Sequence, residues 1–163
     1  MIKELNFTAR NGMQIQIPIN WGTTWLTGDG ATGKSFVFNE LEYYASKHAL
    51  KMFFIKPKSL NYVQMIPNLP DDVFIVVDNF DLIKLRHPEI TDYINNCINQ
   101  CLVIGRDTVG LRMAWEGQLK LVRKGNILTT ESIMQYFLDK RNASLKAWYA
   151  KQERKKKRKN NGT

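Results

Sequence analysis

Nine residues near the start of the chain, Thr27 to Ser35, read T-G-D-G-A-T-G-K-S. From Gly28 onward the run fits G-x-x-x-x-G-K-[ST], and each position has a chemical reason. Glycines let the backbone wrap tightly enough to aim several N–H groups at one point, which makes a nest for an anion. A helix that begins where the run ends adds the positive end of its dipole. The ammonium of Lys34 can reach the outer phosphates of a polyphosphate, and the hydroxyl of Ser35 can ligate Mg2+. Gly28, Asp29, Gly30, Ala31, Thr32, Gly33, Lys34 and Ser35 are therefore expected to wrap a phosphate group. Such a site also needs a carboxylate that holds the metal from the end of a buried strand. Val73 to Asp78, V-F-I-V-V-D, is an apolar run ending in an acid, as a strand buried on both faces reads. Asp78 is the expected metal partner of Ser35.

The pair G-D-G-A-T-G-K-S and V-F-I-V-V-D resembles the Walker A and Walker B motifs of the P-loop NTPases, over residues 13 to 130. The resemblance implies a nucleoside triphosphate with Mg2+ as the ligand. A strand-and-hairpin lead-in and a loop opening T-G-D-G are similar to the ABC/RecF-like and AAA+-like ATPases. There is no L-S-G-G-Q-type signature, so an ABC transporter or SMC-type head is not supported. There is no N-K-x-D either, so the element that reads guanine is missing and ATP is the expected base.

The sequence departs from that pattern after Asp78. Many ATPases of this kind carry Glu directly after the metal-binding Asp, to polarise the attacking water. Here the residues are Asp78-Asn79-Phe80-Asp81. Asn79 can orient a water but cannot accept its proton. Asp81 can take that role if the chain turns there; the other reading is a capping or surface carboxylate. Arg106, in I-G-R-D, stands where AAA+-like proteins place a polar sensor near the γ-phosphate, and its guanidinium can grip phosphate oxygens bidentately. Arg112 can serve as a finger in cis or toward a neighbouring subunit. Both arginines also read as surface residues paired with Asp107 or Glu116. The expected catalytic set is Lys34, Asp81, Arg106 and Arg112.

Elements must position these residues. Alternating runs at 2–8 and 13–19 flank Asn11-Gly12, the strongest short hairpin signal. Trp21 to Thr27 is a β-prone run leading into the glycines, and Phe36, Leu41, Tyr44 and Ala45 recur at helical spacing after them. Further strands are expected at Lys51–Lys56, Val73–Asp78 and Cys101–Gly105, with a helix from Pro88 to about Gln100. A strand pair is expected at Gln118–Val122 and Asn126–Thr130. Helical spacing of Met134, Leu138, Leu145 and Trp148 marks a last helix running to about residue 155. The expected fold is α/β, a three-layer, mainly parallel P-loop sheet with an N-terminal β-hairpin and a long C-terminal helix. Its parts are a nucleotide-binding domain at 1–130, a helix packed on it at 131–150, and a flexible basic tail at 151–163.

The net charge of +9 is uneven: residues 151–163 hold seven Lys/Arg and one Glu, which leaves +3 for the rest. Such a tail points to acidic partners, nucleic acid or anionic lipid, with sequence-independent and salt-sensitive contact to DNA or RNA first. The other readings are a plain solubilising end and a membrane or protein contact. Trp148 and Tyr149, just upstream, can stack on bases or pack in a core. Cys97 and Cys101, four apart in a stretch read as helical, have no histidine near them and read as free thiols in a reducing compartment. No segment approaches the roughly 18 apolar residues of a membrane span, and no signal peptide is seen at the N-terminus, so a cytoplasmic location is expected. The functional expectation is a small Mg2+-ATP-binding ATPase acting on or with nucleic acid. Its alternatives are a nucleotide-gated binding module with little hydrolysis and a small-molecule or nucleotide kinase. One P-loop domain has no room for a second, so a protein partner or self-assembly is a further expectation.

Overall fold

In the computed structural model, which describes residues 1–160, contacts divide the chain into two units, Met1–Glu131 and the segment from Ser132 onward. The first unit opens as the alternation predicts. Gly12, at φ 83°, turns strand β1 (Glu4–Thr8) back on β2 (Gln14–Pro18). Leu5 pairs with Ile17 and Phe7 with Ile15, so one face of the hairpin is buried and the other faces solvent. Strands β3 (Thr23–Thr27), β4 (Met52–Ile55), β5 (Phe74–Val77) and β6 (Cys101–Ile104) follow, and β5 and β6 are buried at every position. The last two strands are β7 (Gln118–Lys124) and β8 (Ile127–Ser132), joined at Gly125-Asn126. A connection this short forces them to run antiparallel.

The expectation of a mainly parallel, three-layer P-loop sheet is overturned. All eight strands belong to one mixed sheet in the order β1-β2-β8-β7-β3-β6-β5-β4. The physical reason is that the two hairpins are not appendages. β8 inserts beside β2, pairing Gln14 with Ile127 and Ile15 with Leu128 in parallel, while β7 pairs in parallel with β3. Half of the sheet is thus built from hairpin strands. On the other side of β3, the pairs β3–β6, β5–β6 and β4–β5 are parallel.

Helix α1 (Lys34–Lys47) lays Val37, Phe38, Leu41 and Ala45 into the core. Each large apolar side chain buried this way contributes about 1.5–3 kcal/mol. Glu40 is buried on the same helix, and Arg10 of the hairpin turn satisfies it. The Arg10 backbone N–H donates at 2.9 Å, Nε at 3.0 Å and Nη2 at 2.7 Å. A 3-10 segment at Leu60–Asn68 buries Val63 and Ile66. Two short helices come next. α2 (Phe80–Arg86) has no counterpart in the sequence reading, and α3 (Ile90–Asn96) stops short of the expected Gln100. Cys97 is already extended (φ −74°, ψ 150°) and Cys101 opens β6, so the two cysteines do not share a helix face.

The second unit is helix α4 (Ile133–Asn160), which carries the basic run as far as Asn160; residues 161–163 lie outside the described residues. Within it Trp148 and Tyr149 meet edge to face, and Gln135 Nε2 donates to Asp139 Oδ1 one turn on. Among the described residues no helix is long and apolar enough to cross a membrane.

Candidate functional site

Three core strands set the site. β3 is buried through Leu26 and emerges at Thr27, so the glycine run starts where the sheet ends. Gly33 takes φ 92°, a left-handed conformation favouring glycine, and α1 begins at the next residue. No side chain caps this helix, which leaves its first N–H groups directed at the loop. Gly28 is required for space. A Cβ there would stand 2.4 Å from Thr32 Oγ1. The loop closes on itself through Asp29, whose carbonyl accepts from Thr32 N at 3.1 Å and from Thr32 Oγ1 at 2.8 Å. Lys34 Nζ lies back across the loop and donates to Gly28 O at 2.7 Å and Asp29 O at 3.0 Å. Lysine in this pose is held over the loop by two neutral carbonyls, which a phosphate oxygen can replace with a stronger, charge-assisted bond.

Asp78 follows β5 at the same end of the sheet, 7 % exposed, with its N–H donating to Ile55 O. Asn79 takes φ 49° and starts α2. Its Nδ2 donates to Asp78 Oδ2 at 2.9 Å. Burial pushes the Asp78 carboxyl above the ordinary aspartate value, against the hydrogen bonds of Asn79 and the charges of Lys34 and Lys56. A carboxylate that is costly to ionise alone is one that gains from a cation. Burial, then the charge of Arg106, pull the Lys34 ammonium below the ordinary lysine value, while Asp29, Asp78 and Asp81 oppose this. A second positive charge this close to Lys34 favours an anion between the two side chains.

These groups converge on a cavity of about 400 Å³. Its lining includes Gly30, Ala31, Gly33, Lys34 and Ser35 from the loop and helix start, Asp78, Asn79 and Asp81 from the end of β5, and Gly105 and Arg106 from the end of β6. Gly28, Asp29 and Thr32 shape the loop behind the lining. The structure therefore brings the loop, Lys34, Ser35, Asp78, Asp81 and Arg106 to one place. It does not bring Arg112 there: that residue is outside the lining, with its N–H donating to Asn95 Oδ1 at 2.7 Å.

Asp81 lines the cavity, but both of its oxygens are engaged. Oδ2 accepts the Arg106 N–H at 2.7 Å and Oδ1 the Asp107 N–H at 2.9 Å. Its carboxylate caps the turn after β6 and so aims Arg106. A Cβ on Gly105 would lie 3.2 Å from Phe80 Cβ and 3.3 Å from Asp81 Oδ2, so this approach depends on glycine. Asp107 is taken by Lys84 at 3.0 Å, and not by Arg106.

Sequence reasoning names Asn79 only as an amide that can orient a water; the structure adds that its Nδ2 steadies the Asp78 carboxylate. One residue beside the loop escapes sequence reasoning altogether. Lys120 on β7 pairs with Asp29 at 3.4 Å and ties the loop to the hairpin strand; no sequence signal connects residues so far apart. A larger cavity, about 590 Å³, opens at the opposite ends of the strands beside Gly22, Met52, Phe74 and Gln100. It is mostly apolar. The charges on its lining are Glu4, Lys51, Asp71 and Asp72, of which Lys51 and Asp72 form an ion pair, and the lining holds no glycine loop at a helix start. No family model and no curated protein matches the chain.

Proposed function

We propose that the chain binds Mg2+-ATP in the cavity at Lys34 and turns it over slowly. The loop N–H groups and Lys34 hold the β- and γ-phosphates, Ser35 and Asp78 hold Mg2+, and Arg106 faces the terminal phosphate. One observation carries this reading: the glycine loop, two cations and a buried carboxylate from three separate strand ends line one cavity. The support comes from the site and not from the sheet, whose mixed order lends none. ATP is named over GTP because the guanine-reading N-K-x-D is missing.

Mg2+ supplies charge neutralisation at the phosphates when bound. The protein's own contribution is positioning. Lys34 moves from two backbone carbonyls to phosphate, and Arg106 is held in line by Asp81. A water near Asn79 can be oriented but not deprotonated by that amide. The engagement of both Asp81 oxygens favours the second reading, a nucleotide-gated module whose hydrolysis waits for a partner. The basic stretch at 151–159 is proposed to contact DNA or RNA in that role.

Phosphate release from Mg2+-ATP, with and without DNA or RNA, tests the proposal, with Lys34→Ala as the blank. Nucleotide affinity in that variant should fall about tenfold or more, the loss of one charge-assisted hydrogen bond. Equal affinity in variant and wild type would remove the assignment. Turnover that rises with nucleic acid and falls with salt supports the ATPase; binding without turnover supports the gated module.

A further inference from the structure

We propose that Cys97 and Cys101 form an oxidation site at which a hydroperoxide closes the two thiols into an intramolecular disulfide. Their sulfurs are 3.6 Å apart. A disulfide bond is about 2.05 Å, so the pair must close by about 1.5 Å. The approach is set by the chain between them. Asn99 is buried, and its Nδ2 donates to Pro70 O at 2.7 Å and Val73 O at 2.9 Å. Gln100 clasps Ile2 from both sides, accepting its N–H at 2.8 Å and donating to its carbonyl at 2.9 Å. These bonds fix the turn from the end of α3 into β6 and hold the second sulfur beside the first.

The two thiols are unequal, as an attacking and a resolving thiol must be. Cys97 is partly exposed and Cys101 is buried. Either thiol can donate across this contact; once Cys97 loses its proton the Cys101 S–H is the donor and stabilises the thiolate, which brings the Cys97 thiol down to about 7. The same interaction and burial push Cys101 up. Near neutral pH a large share of Cys97 is therefore thiolate, the reactive form.

The chemistry balances with a hydroperoxide as the oxidant. Cys97 thiolate attacks the outer oxygen of R–O–O–H and the O–O bond breaks. The alcohol leaves with a proton, and the sulfur, now oxidised, is a sulfenic acid. Cys101 Sγ then attacks that sulfur, its proton leaves with the hydroxide as water, and the S–S bond forms. A dithiol reductant returns both cysteines to thiols by exchange, ending as a disulfide itself. Among the described residues no group of three or more metal-ligating side chains surrounds the pair to compete for the thiolate.

The test uses the full chain and hydrogen peroxide at a small molar excess. Thiols counted in denaturant should fall from two to none, the intact mass should fall by two hydrogens, and the protein should stay monomeric on a non-reducing gel. Dithiothreitol should restore both thiols. Cys101→Ser should accumulate a sulfenic acid trapped by dimedone at Cys97, while Cys97→Ser should stay unmodified at the same dose. The wild-type measurement stands whether or not either variant folds. Two thiols surviving treatment, a disulfide between chains, or oxygen adducts on Cys97 without loss of Cys101 would each overturn the proposal.

Discussion

Asp81→Ala separates a capping carboxylate from a catalytic base. The side chain accepts two backbone N–H groups, from Arg106 at 2.7 Å and Asp107 at 2.9 Å. Hydrogen bonds to a charged group contribute about 1.5–3 kcal/mol each where water is excluded. Asp81 is only partly buried and the Arg106 N–H is exposed, so water recovers part of that. The expected loss is about 2 kcal/mol for both bonds together. In a chain of this size that lowers the melting temperature by about 4–8 °C. Asp81→Asn keeps one acceptor oxygen and should lose about half as much. Thermal melts followed by circular dichroism give the order wild type, Asp81→Asn, Asp81→Ala. An Asp81→Ala protein melting within about 1 °C of wild type would refute the capping argument. So would an Asp81→Asn protein of wild-type stability whose hydrolysis drops by about a hundredfold or more, because that is the mark of a general base.

Four further outcomes follow from other parts of the molecule. Asp78→Asn should weaken Mg2+-dependent nucleotide binding by about tenfold or more, read by titration calorimetry, because a neutral amide cannot match a carboxylate at the metal. The same variant should melt higher than wild type at neutral pH. The folded carboxyl is raised, so its favourable contribution is complete below the unfolded value and is lost as pH rises through the folded one; an unchanged or lower melting temperature would count against this. Arg10→Gln works in the opposite sense. Arg10 holds the Glu40 carboxyl below its ordinary value, a contribution present above the unfolded value and lost as pH falls through the folded one. The variant should therefore be destabilised at pH 7, with the gap to wild type closing in acid; a gap that is constant with pH would sink the argument. Removal of residues 151–163 should flatten the salt dependence of DNA or RNA binding, measured by fluorescence anisotropy, by about 0.9 in log–log slope for each phosphate no longer neutralised. An unchanged slope would place the interaction elsewhere.

Local signals carry most of what is legible. Asn11-Gly12 between alternating runs marks the first hairpin, and Gly12 does take the positive φ that such a turn requires. The unbroken V-F-I-V-V run marks β5 because every one of its neighbours is apolar. The glycines before Lys34 mark a turn into a helix, which Gly33 makes. What escapes is non-local. Nothing in Gln14-Ile15 says that its partner is Ile127-Leu128, because a parallel pair carries no connecting turn to announce it. The mixed sheet is therefore out of reach. α2 is hidden because it starts directly from a left-handed Asn79 and has few turns in which to show a period. The role of Asp81 is legible only as a choice between base and cap. Its partners are backbone N–H groups some 25 residues away, which have no residue type to reveal them.

The insertion of β8 beside β2 and of β7 beside β3 has a consequence for synthesis. The chain emerges from the ribosome with the first hairpin and β3 early, yet the strands that cover their inner edges come last in the unit. Until then β3 presents an open row of N–H and C=O groups along one side, and so does β2. Open edges of this kind pair with whatever strand they meet, including those of a second nascent copy. The hairpin cannot dock on the sheet before Ile127 and Leu128 arrive. Long-range closure of this order makes folding slow relative to a chain whose strands pair in sequence. A ribosome stalled before Gln118 would thus hold an aggregation-prone fragment, and codon choice or chaperone supply over the stretch encoding β7 and β8 becomes a determinant of yield.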